Sequence, residues 1–203
     1  TIPITRMTVR LIALKNYNIK PNDSLSIQAT GYLMDTAWIR LRVKESYTDT
    51  LAGFLMTMRV KPVDLTVLNP VLIPLASLKL ESGYLDTLNL RAIGREYLSL
   101  GEMQMLYHDL KVRFLKDGNE TRKTFGTGLM NFIANTFVIR KNNTSRTGNV
   151  FFIRDRGKSA INFLIKIAMS GMASSAGVKR NKKMIRQYKK ELEKRNLPPI
   201  DFE

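Results

Sequence analysis

The amino-acid sequence predicts an α+β protein: a long curved antiparallel β-sheet, shaped as an open groove or half-barrel, followed by an amphipathic helix and a basic helix. Apolar residues alternate with a period of two up to about residue 155, as in half-buried strands. After Arg156 the period becomes 3.6, that of a helix. We therefore expect a sheet domain over residues 1–156, an apolar-faced helix over 157–177, and a basic helix and tail over 178–203.

The clearest strands form a predicted hairpin. Apolar and polar residues alternate over 25–33 and again over 37–44, and Asp35 and Thr36 separate the two runs. Residues two apart in a strand lie on one face, so the hairpin has an apolar and a polar side. We expect its apolar side, with part of a later strand, to line the groove through these residues: Leu25, Ile27, Ala29, Ile39, Leu41, Val43, Met103 and Met105.

The flanking strands alternate less regularly. Runs over 5–14 and 51–60 are rich in apolar residues at every second position and predict two further strands. Over 61–77 three prolines interrupt the pattern, which predicts a short helical turn or a buried crossing segment rather than a strand.

Two long strands are predicted next, and both contain an irregularity. The strand over 78–90 passes a bulge at Ser82 and Gly83, and the strand over 98–115 changes phase near His108. Four smaller elements are predicted after these strands: a turn at 116–119, a helical turn over 128–136, and short strands over 137–140 and 149–154. With the two short strands, the predicted sheet has about seven or eight strands.

Two C-terminal helices are predicted, and they differ in charge. Ser159 is a candidate N-cap of the first, and Gly177 is placed to end it. A narrow polar stripe runs along this helix through Asn162, Lys166, Ser170 and Ser174, and the remaining side chains include Ile161, Phe163, Leu164, Ile165, Ile167, Met169 and Met172. The second helix, over 181–195, is strongly basic and carries Lys182, Lys183, Arg186, Lys189 and Lys190.

The charge of the chain points to an anionic partner. The 203 residues contain 33 lysines and arginines against 17 acidic residues, a formal net charge of +16, and 16 of the basic residues follow Ile139. In one interpretation the first helix packs on the end of the sheet and the second is a solvated basic helix. In the other, the pair lies on an anionic membrane surface. Nucleic acid is the least favoured partner, because Tyr188 is the one aromatic residue over 179–195.

Catalytic chemistry has little support in the sequence. Without cysteine, a thiol nucleophile, a zinc–thiolate site and a disulfide framework are excluded, and a single histidine excludes a multi-histidine metal site. The run from Gly157 to Ser159 looks like the end of a phosphate-binding loop, but Phe152 stands where that motif needs glycine. His108 beside Asp109 lacks a nucleophile or oxyanion loop. We therefore expect no enzyme activity and no cofactor.

Four stretches carry a family resemblance. LKLESGYLD at 78–86, GEMQMLYHDLKV at 101–112, FIANTFVI at 132–139 and RDRGKS at 154–159 resemble the C-terminal portion of the large AsmA-like envelope proteins of Gram-negative bacteria. The resemblance spans roughly residues 50–175. It implies a fragment of a larger protein with an inner-membrane anchor upstream, a periplasmic sheet rolled into an open groove, and the architecture of bridge-like lipid-transfer proteins. The basic helix after Gly177 lies outside the resemblance.

The expected function combines the two lines of evidence. The resemblance implies phospholipid transport or outer-membrane biogenesis in the periplasm, and the two-faced strands suit a groove that shields acyl chains. We expect a non-enzymatic segment whose partners are a phospholipid or other acyl-chain lipid and an anionic membrane surface, with an envelope or outer-membrane protein as a further partner. A protein-docking or scaffold module of envelope assembly is the alternative, and a nucleic-acid-binding protein is the third.

Overall fold

Eight antiparallel strands form one open sheet in the computed structural model, which describes residues 3–49, 53–115 and 140–195. The strands are β1 (Ile4–Ile12), β2 (Ser24–Leu33), β3 (Ala37–Ser46), β4 (Phe54–Val60), β5 (Val63–Asp64), β6 (Leu78–Gly94), β7 (Leu98–Phe114) and β8 (Thr147–Ile153). Their order across the sheet is β1-β2-β3-β4-β6-β7-β8, and β5 pairs with β6. The predicted α+β fold with an open antiparallel sheet is confirmed.

The segment between β4 and β6 is more helical than predicted. A 3-10 turn over Leu65–Leu68 leads directly into α1 (Asn69–Ala76), which contains Pro74. Proline near a helix start is compatible with helical backbone, so Pro70 fits there. The side chain of Asn69 accepts a hydrogen bond from the backbone N–H of Leu80 at 2.7 Å and donates one to its carbonyl at 2.9 Å. These bonds hold α1 against β6 where β6 extends beyond β4.

The two longest strands, β6 and β7, contain both predicted bulges. Their register shifts on either side of Ser82, and the partners jump from Lys111 to His108 at the second shift. Asp109 takes a positive φ of 53° there. The predicted turn at 116–119, helical turn over 128–136 and short strand over 137–140 lie outside the described residues, apart from Arg140.

Both C-terminal helices form close to their predicted bounds. In α2 (Ala160–Ser175) the hydroxyl of Ser159 accepts a hydrogen bond from the backbone N–H of Asn162 at 3.2 Å, as expected of an N-cap. Gly177 follows the helix with a φ of 121°, a conformation that favours glycine. The basic helix is α3 (Arg180–Lys194).

The core lies between one face of the sheet and the described helices. Buried side chains from β4, β6, β7 and β8 pack against Phe163 and Ile167 of α2. The 3-10 turn contributes Leu65 to the same cluster. Burial is therefore concentrated in the β4–β8 half of the sheet.

Candidate functional site

One face of the sheet is apolar from β1 to β8. Directly opposed residues in antiparallel strands share a face, so the register defines rows across the sheet. One row consists of Leu11, Ile27, Val43, Met56, Ala92, Gly101 and Val150, and the next of Val9, Ala29, Leu41, Met58, Leu90, Met103 and Gly148. The predicted shared face of the β2–β3 hairpin is confirmed as part of this larger surface.

Over β6, β7 and β8 this face is closed. Met103 has no exposed surface, and Met105 belongs to the same buried core. A Cβ at Gly171 of α2 would lie 2.9 Å from Cε of Met103, so the helix backbone packs directly on that side chain. The prediction that Met103 and Met105 line an open groove is therefore wrong, because the helices and the core occupy that half.

Over β1, β2 and β3 the same face is open. Val9 and Leu11 are 49% and 57% exposed, and none of the described helices covers these strands. The hairpin side chains Leu25, Ile27, Ala29, Ile39 and Leu41 are half-buried, whereas Val43, which was also predicted to line the groove, is buried beside β4. We call the surface formed by the five half-buried hairpin residues with Val9 and Leu11 the open apolar face.

The apolar side of α2 is largely used for packing on the sheet. Phe163 and Ile167 are buried in the core, so the prediction that they contact a membrane is wrong. Leu164 and Met172 pack against the same cluster. The side chains left at the surface are Ile161, which is 70% exposed, and the half-buried Ile165 and Met169.

The two serines of the polar stripe of α2 face the sheet. The Ser170 hydroxyl donates a hydrogen bond to the carbonyl of Phe151 at 2.8 Å, and the Ser174 hydroxyl accepts one from the backbone N–H of Asn149 at 2.9 Å. The amide of Asn181, on α3, donates to the carbonyl of Asn149 at 2.6 Å. These bonds satisfy outward-facing backbone groups of the edge strand β8, which would otherwise template pairing with another chain. Partial burial lowers the pKa of Lys166, on the same stripe.

A basic groove lies between α3 and the start of β8. Its volume is about 1000 Å³, and we call it the α3 groove. The basic residues that line it are Arg140, Arg146, Lys179, Lys182, Lys183, Arg186, Lys189 and Lys190, and the acidic residue among the described lining is Glu193. All five predicted membrane-contacting residues of α3 therefore share one concave surface. The sequence analysis did not predict Arg140 and Arg146 as site residues, because Arg146 lies in a loop without periodicity and Arg140 lies at the end of a predicted short strand.

Tyr188 anchors α3 on the sheet. Its ring lies 6.1 Å from that of Phe151, and burial raises the pKa of Tyr188. The one aromatic side chain of this basic helix is thus occupied in packing. That arrangement removes it as a platform for stacking nucleic-acid bases.

The opposite face of the sheet is basic, and we call it the basic face. It presents Arg10, Arg40, Arg42, Lys44 and Arg59. Arg40 and Arg59 are direct cross-strand partners, a placement that is repulsive for like charges. The guanidinium of Arg6 lies 3.9 Å from the Tyr32 ring centre, and the Lys61 ammonium lies 5.0 Å from that of Trp38. Bases that stacked on these rings would compete with the two cations.

The single histidine of the chain contacts a carboxylate at the surface of the sheet. Nδ1 of His108 lies 3.1 Å from the carboxylate of Asp86, and its ring lies 5.5 Å from that of Tyr84, on an exposed part of the sheet. No cluster of three or more histidine or acidic side chains capable of holding a metal ion occurs in the described ranges. His108 is therefore placed as a surface cross-strand contact.

Within the described residues no single helix is long and apolar enough to cross a membrane. By length and composition α2 and α3 together pass that test, but the chain bends by 113° between them. No protein-family model, curated protein or solved structure matches the chain.

Proposed function

We propose that this chain is a non-enzymatic lipid-binding segment that shields acyl chains on its open apolar face and meets an anionic membrane surface through α3. The proposal places it in the bacterial cell envelope, on the periplasmic side, in phospholipid transport or outer-membrane biogenesis. One observation supports it above the others. The apolar rows that α2 covers over β6–β8 continue, uncovered by the described helices, across β1–β3.

The exposure of side chains on this surface favours binding of an apolar ligand. Burial of apolar surface contributes about 25 cal/mol per Å², so each methylene of an acyl chain that leaves water gains about 0.8 kcal/mol. Val9 and Leu11 of β1, which lie on the open apolar face, are both more than two-fifths exposed, which leaves such area available. Neighbouring strands in a sheet lie about 4.7–4.9 Å apart, so the three strands form a continuous surface. An extended ligand such as an acyl chain can contact such a surface along its whole length.

Photocrosslinking on the two sides of β2 tests this proposal. Ala29 lies on the open apolar face and its chain neighbour Gln28 on the basic face, and both are half-buried. A photoreactive amino acid at position 29 should label phospholipid in bacterial membranes, and one at position 28 should label much less. Mass spectrometry of an organic extract of the purified wild type should detect the same lipid. Equal labelling at both positions, or no lipid in the extract, would contradict the proposal.

A protein-docking module remains the second candidate, and a specific observation favours it. Successive residues of β1 point to opposite faces, yet Leu11 and Ile12 are both about half exposed, as is Met7. An edge strand with apolar side chains on both sides suits addition of a strand from a protein partner. In this case the photoreactive residue at position 29 would capture protein instead of lipid.

A further inference from the structure

The α3 groove carries an unbalanced positive charge. Eight of its described lining residues are basic and one is acidic. Among the described residues, Lys182, Lys183 and Arg186 form no ion pair with a carboxylate, and the same holds for Lys179, Lys189 and Lys190. Glu191, the other acidic residue of α3, pairs with Arg195. The cations of the groove thus lack compensation from the described part of the chain.

This imbalance acts against the helix itself. Lys182, Arg186 and Lys190 are spaced four apart, so their charges are neighbours on one face of α3. Like charges at this spacing destabilise a helix by a few tenths of a kcal/mol per pair. An anion in the groove would relieve this repulsion as well as gain its own contacts.

Arg146 is held in place at the floor of the groove. Its guanidinium donates a hydrogen bond to the carbonyl of Ser175, at the end of α2. Its backbone N–H donates to the side chain of Asn143 at 3.0 Å, and its carbonyl accepts a bond from the same side chain at 2.9 Å. Asn143 is itself buried. Because Arg146 is held at its backbone and at its guanidinium, the side chain loses little conformational freedom when it binds an anion, which favours affinity.

The backbone of Arg140 is fixed in a similar way. Its N–H donates to the carbonyl of Ala176 at 3.2 Å, and its carbonyl accepts a hydrogen bond from the hydroxyl of Tyr107 at 3.0 Å. Burial raises the pKa of Tyr107, so this hydroxyl stays protonated and able to donate. The groove therefore combines one positioned guanidinium, that of Arg146, with an exposed arginine on a fixed backbone and a row of exposed lysines on α3.

We propose that the α3 groove binds a ligand that carries several phosphate groups, with Arg146 and Arg140 contacting one phosphate and the lysines of α3 the others. Guanidinium groups match phosphate oxygens in pairs, and lysines act as point charges toward them. A phosphate monoester carries a charge of about −1.5 to −2, so one phosphate cannot balance a groove with eight cations. The volume of about 1000 Å³ lies at the upper end of small-molecule sites and accommodates a ligand of this size.

The source of the phosphates is either a lipid headgroup or a soluble compound, and the test separates them. The inference rests on the proposed function only where it assigns the ligand to a lipid. Binding of soluble tripolyphosphate and inositol hexakisphosphate is measured by titration calorimetry, with inorganic monophosphate for comparison. Flotation then compares vesicles containing a bisphosphorylated inositol lipid with phosphatidylserine vesicles of equal surface charge. Preference for the former indicates a headgroup.

The decisive variant is Arg146→Gln, which removes the fixed guanidinium. Hydrogen bonds to charged groups make it reasonable to expect about a tenfold loss of tripolyphosphate affinity. Arg146→Lys should restore only part of it, because the paired contact is lost. Arg42→Gln removes the same charge from the exposed basic face and should leave the affinity unchanged. The double variant Lys183→Gln/Lys190→Gln, at exposed positions, keeps the test valid if Arg146→Gln fails to fold.

Three results would overturn the inference: no saturable binding of either polyphosphate, equal affinity of the wild type and both groove variants, or an equal loss with Arg42→Gln. None of them depends on acyl-chain labelling at position 29. A chain that binds tripolyphosphate but captures no lipid would therefore contradict the proposed function and leave the phosphate site in place. Lipid labelling without polyphosphate binding would do the reverse.

Discussion

The side-chain amide of Asn181 lies 2.9 Å from the hydroxyl oxygen of Ser170 and 3.0 Å from its carbonyl oxygen. This amide joins the first turn of the basic helix to α2, and its third bond, to the carbonyl of Asn149, joins it to β8. Asn181 is only 3% exposed, so water cannot replace these bonds. Together with the packing of Tyr188 on Phe151, this side chain fixes the position of α3 and with it the α3 groove.

Asn181→Ala should therefore loosen α3. Removing the amide leaves buried acceptors unpaired, and we expect the free energy of unfolding to fall by about 1–3 kcal/mol. Urea denaturation measures this loss. In hydrogen exchange, the rate should rise more in α3 than in β6 and β7 when the variant is compared with the wild type. Gln187→Ala, at an exposed position on the same helix, is the control and should change stability by less than about 0.5 kcal/mol. Equal losses for both variants would contradict this role.

Gly171→Leu tests the closure of the β6–β8 half. Even a Cβ at this position would lie 3.0 Å from Cβ of Met103 and from Cγ2 of Val150, so a larger side chain must displace α2. Overpacking of this kind costs about 1–3 kcal/mol of unfolding free energy, measured by urea denaturation. Ala173→Leu places the same side chain at a half-buried position two residues further along. If the Gly171→Leu protein were as stable as the Ala173→Leu protein, close packing of α2 on Met103 and Val150 would not be required for stability.

The strands could be predicted from sequence because alternation is a local property. Ile27 and Leu41 share a face as soon as both runs are strands joined by a short turn. Met103 alternates in the same way, yet it is buried and they are half-exposed. The difference arises from α2, which is more than fifty residues away in sequence. Which half of the sheet is covered is a long-range property, and no local pattern specifies it.

The serines of α2 illustrate a second limit. Ser170 and Ser174 follow the spacing of the predicted polar stripe, but their hydroxyls bond to the backbone of β8. Hydroxyls serve equally well toward water and toward an unpaired strand edge. The contribution of Arg146 to the groove could not be predicted for a different reason. Arg146 lies in a loop, and a loop has no periodic pattern from which the position of a side chain can be inferred.

Acid should weaken the cap of the 3-10 turn. The carboxylate of Asp64 accepts hydrogen bonds from the hydroxyl and backbone N–H of Thr66 at 2.7 and 2.8 Å, and these bonds hold the pKa of Asp64 below its usual 3.8. Since the folded-state pKa is the lower one, the stabilisation is present above the unfolded value and is lost as pH falls through the folded value.

The wild type should therefore exceed Asp64→Ala in stability by about 1 kcal/mol near neutral pH, and by progressively less below pH 3.8. Urea denaturation at several pH values measures the difference. Asp64→Asn retains a capping oxygen without a titrating group. The difference in unfolding free energy between Asp64→Asn and Asp64→Ala should therefore stay constant with pH. If the stability difference between the wild type and Asp64→Ala also stayed constant with pH, ionisation of Asp64 would not be its cause.

His108→Gln should leave both stability and lipid binding intact. The contact with Asp86 is about half exposed, and such surface pairs contribute about 0–1 kcal/mol. Thermal unfolding and labelling from position 29 are the two measurements. Leu110→Ala, two residues along and buried in the core, is the contrasting variant and should destabilise by several kcal/mol. Loss of lipid labelling by a normally folded His108→Gln protein would contradict this expectation and indicate that the histidine takes part in lipid binding.

Charge reversal on α3 decides whether the basic helix carries the attraction to a membrane. The variant replaces five residues by glutamate: Lys182, Lys183, Arg186, Lys189 and Lys190. Each basic residue near an anionic leaflet contributes about 1 kcal/mol, so reversal should abolish flotation with anionic vesicles at near-physiological salt. All five side chains are exposed, and the thermal transition should change little.

A second reversal of equal size supplies the control for net charge. It replaces five exposed residues on the basic face and at its edge: Arg10, Arg42, Lys44, Arg59 and Lys61. If α3 is the membrane-contacting element, this protein should still float with anionic vesicles although its net charge is the same as that of the α3 variant. Flotation lost equally in both proteins would assign the attraction to overall charge. Flotation lost only in the second would place the membrane contact on the opposite face of the sheet and overturn the assignment of α3.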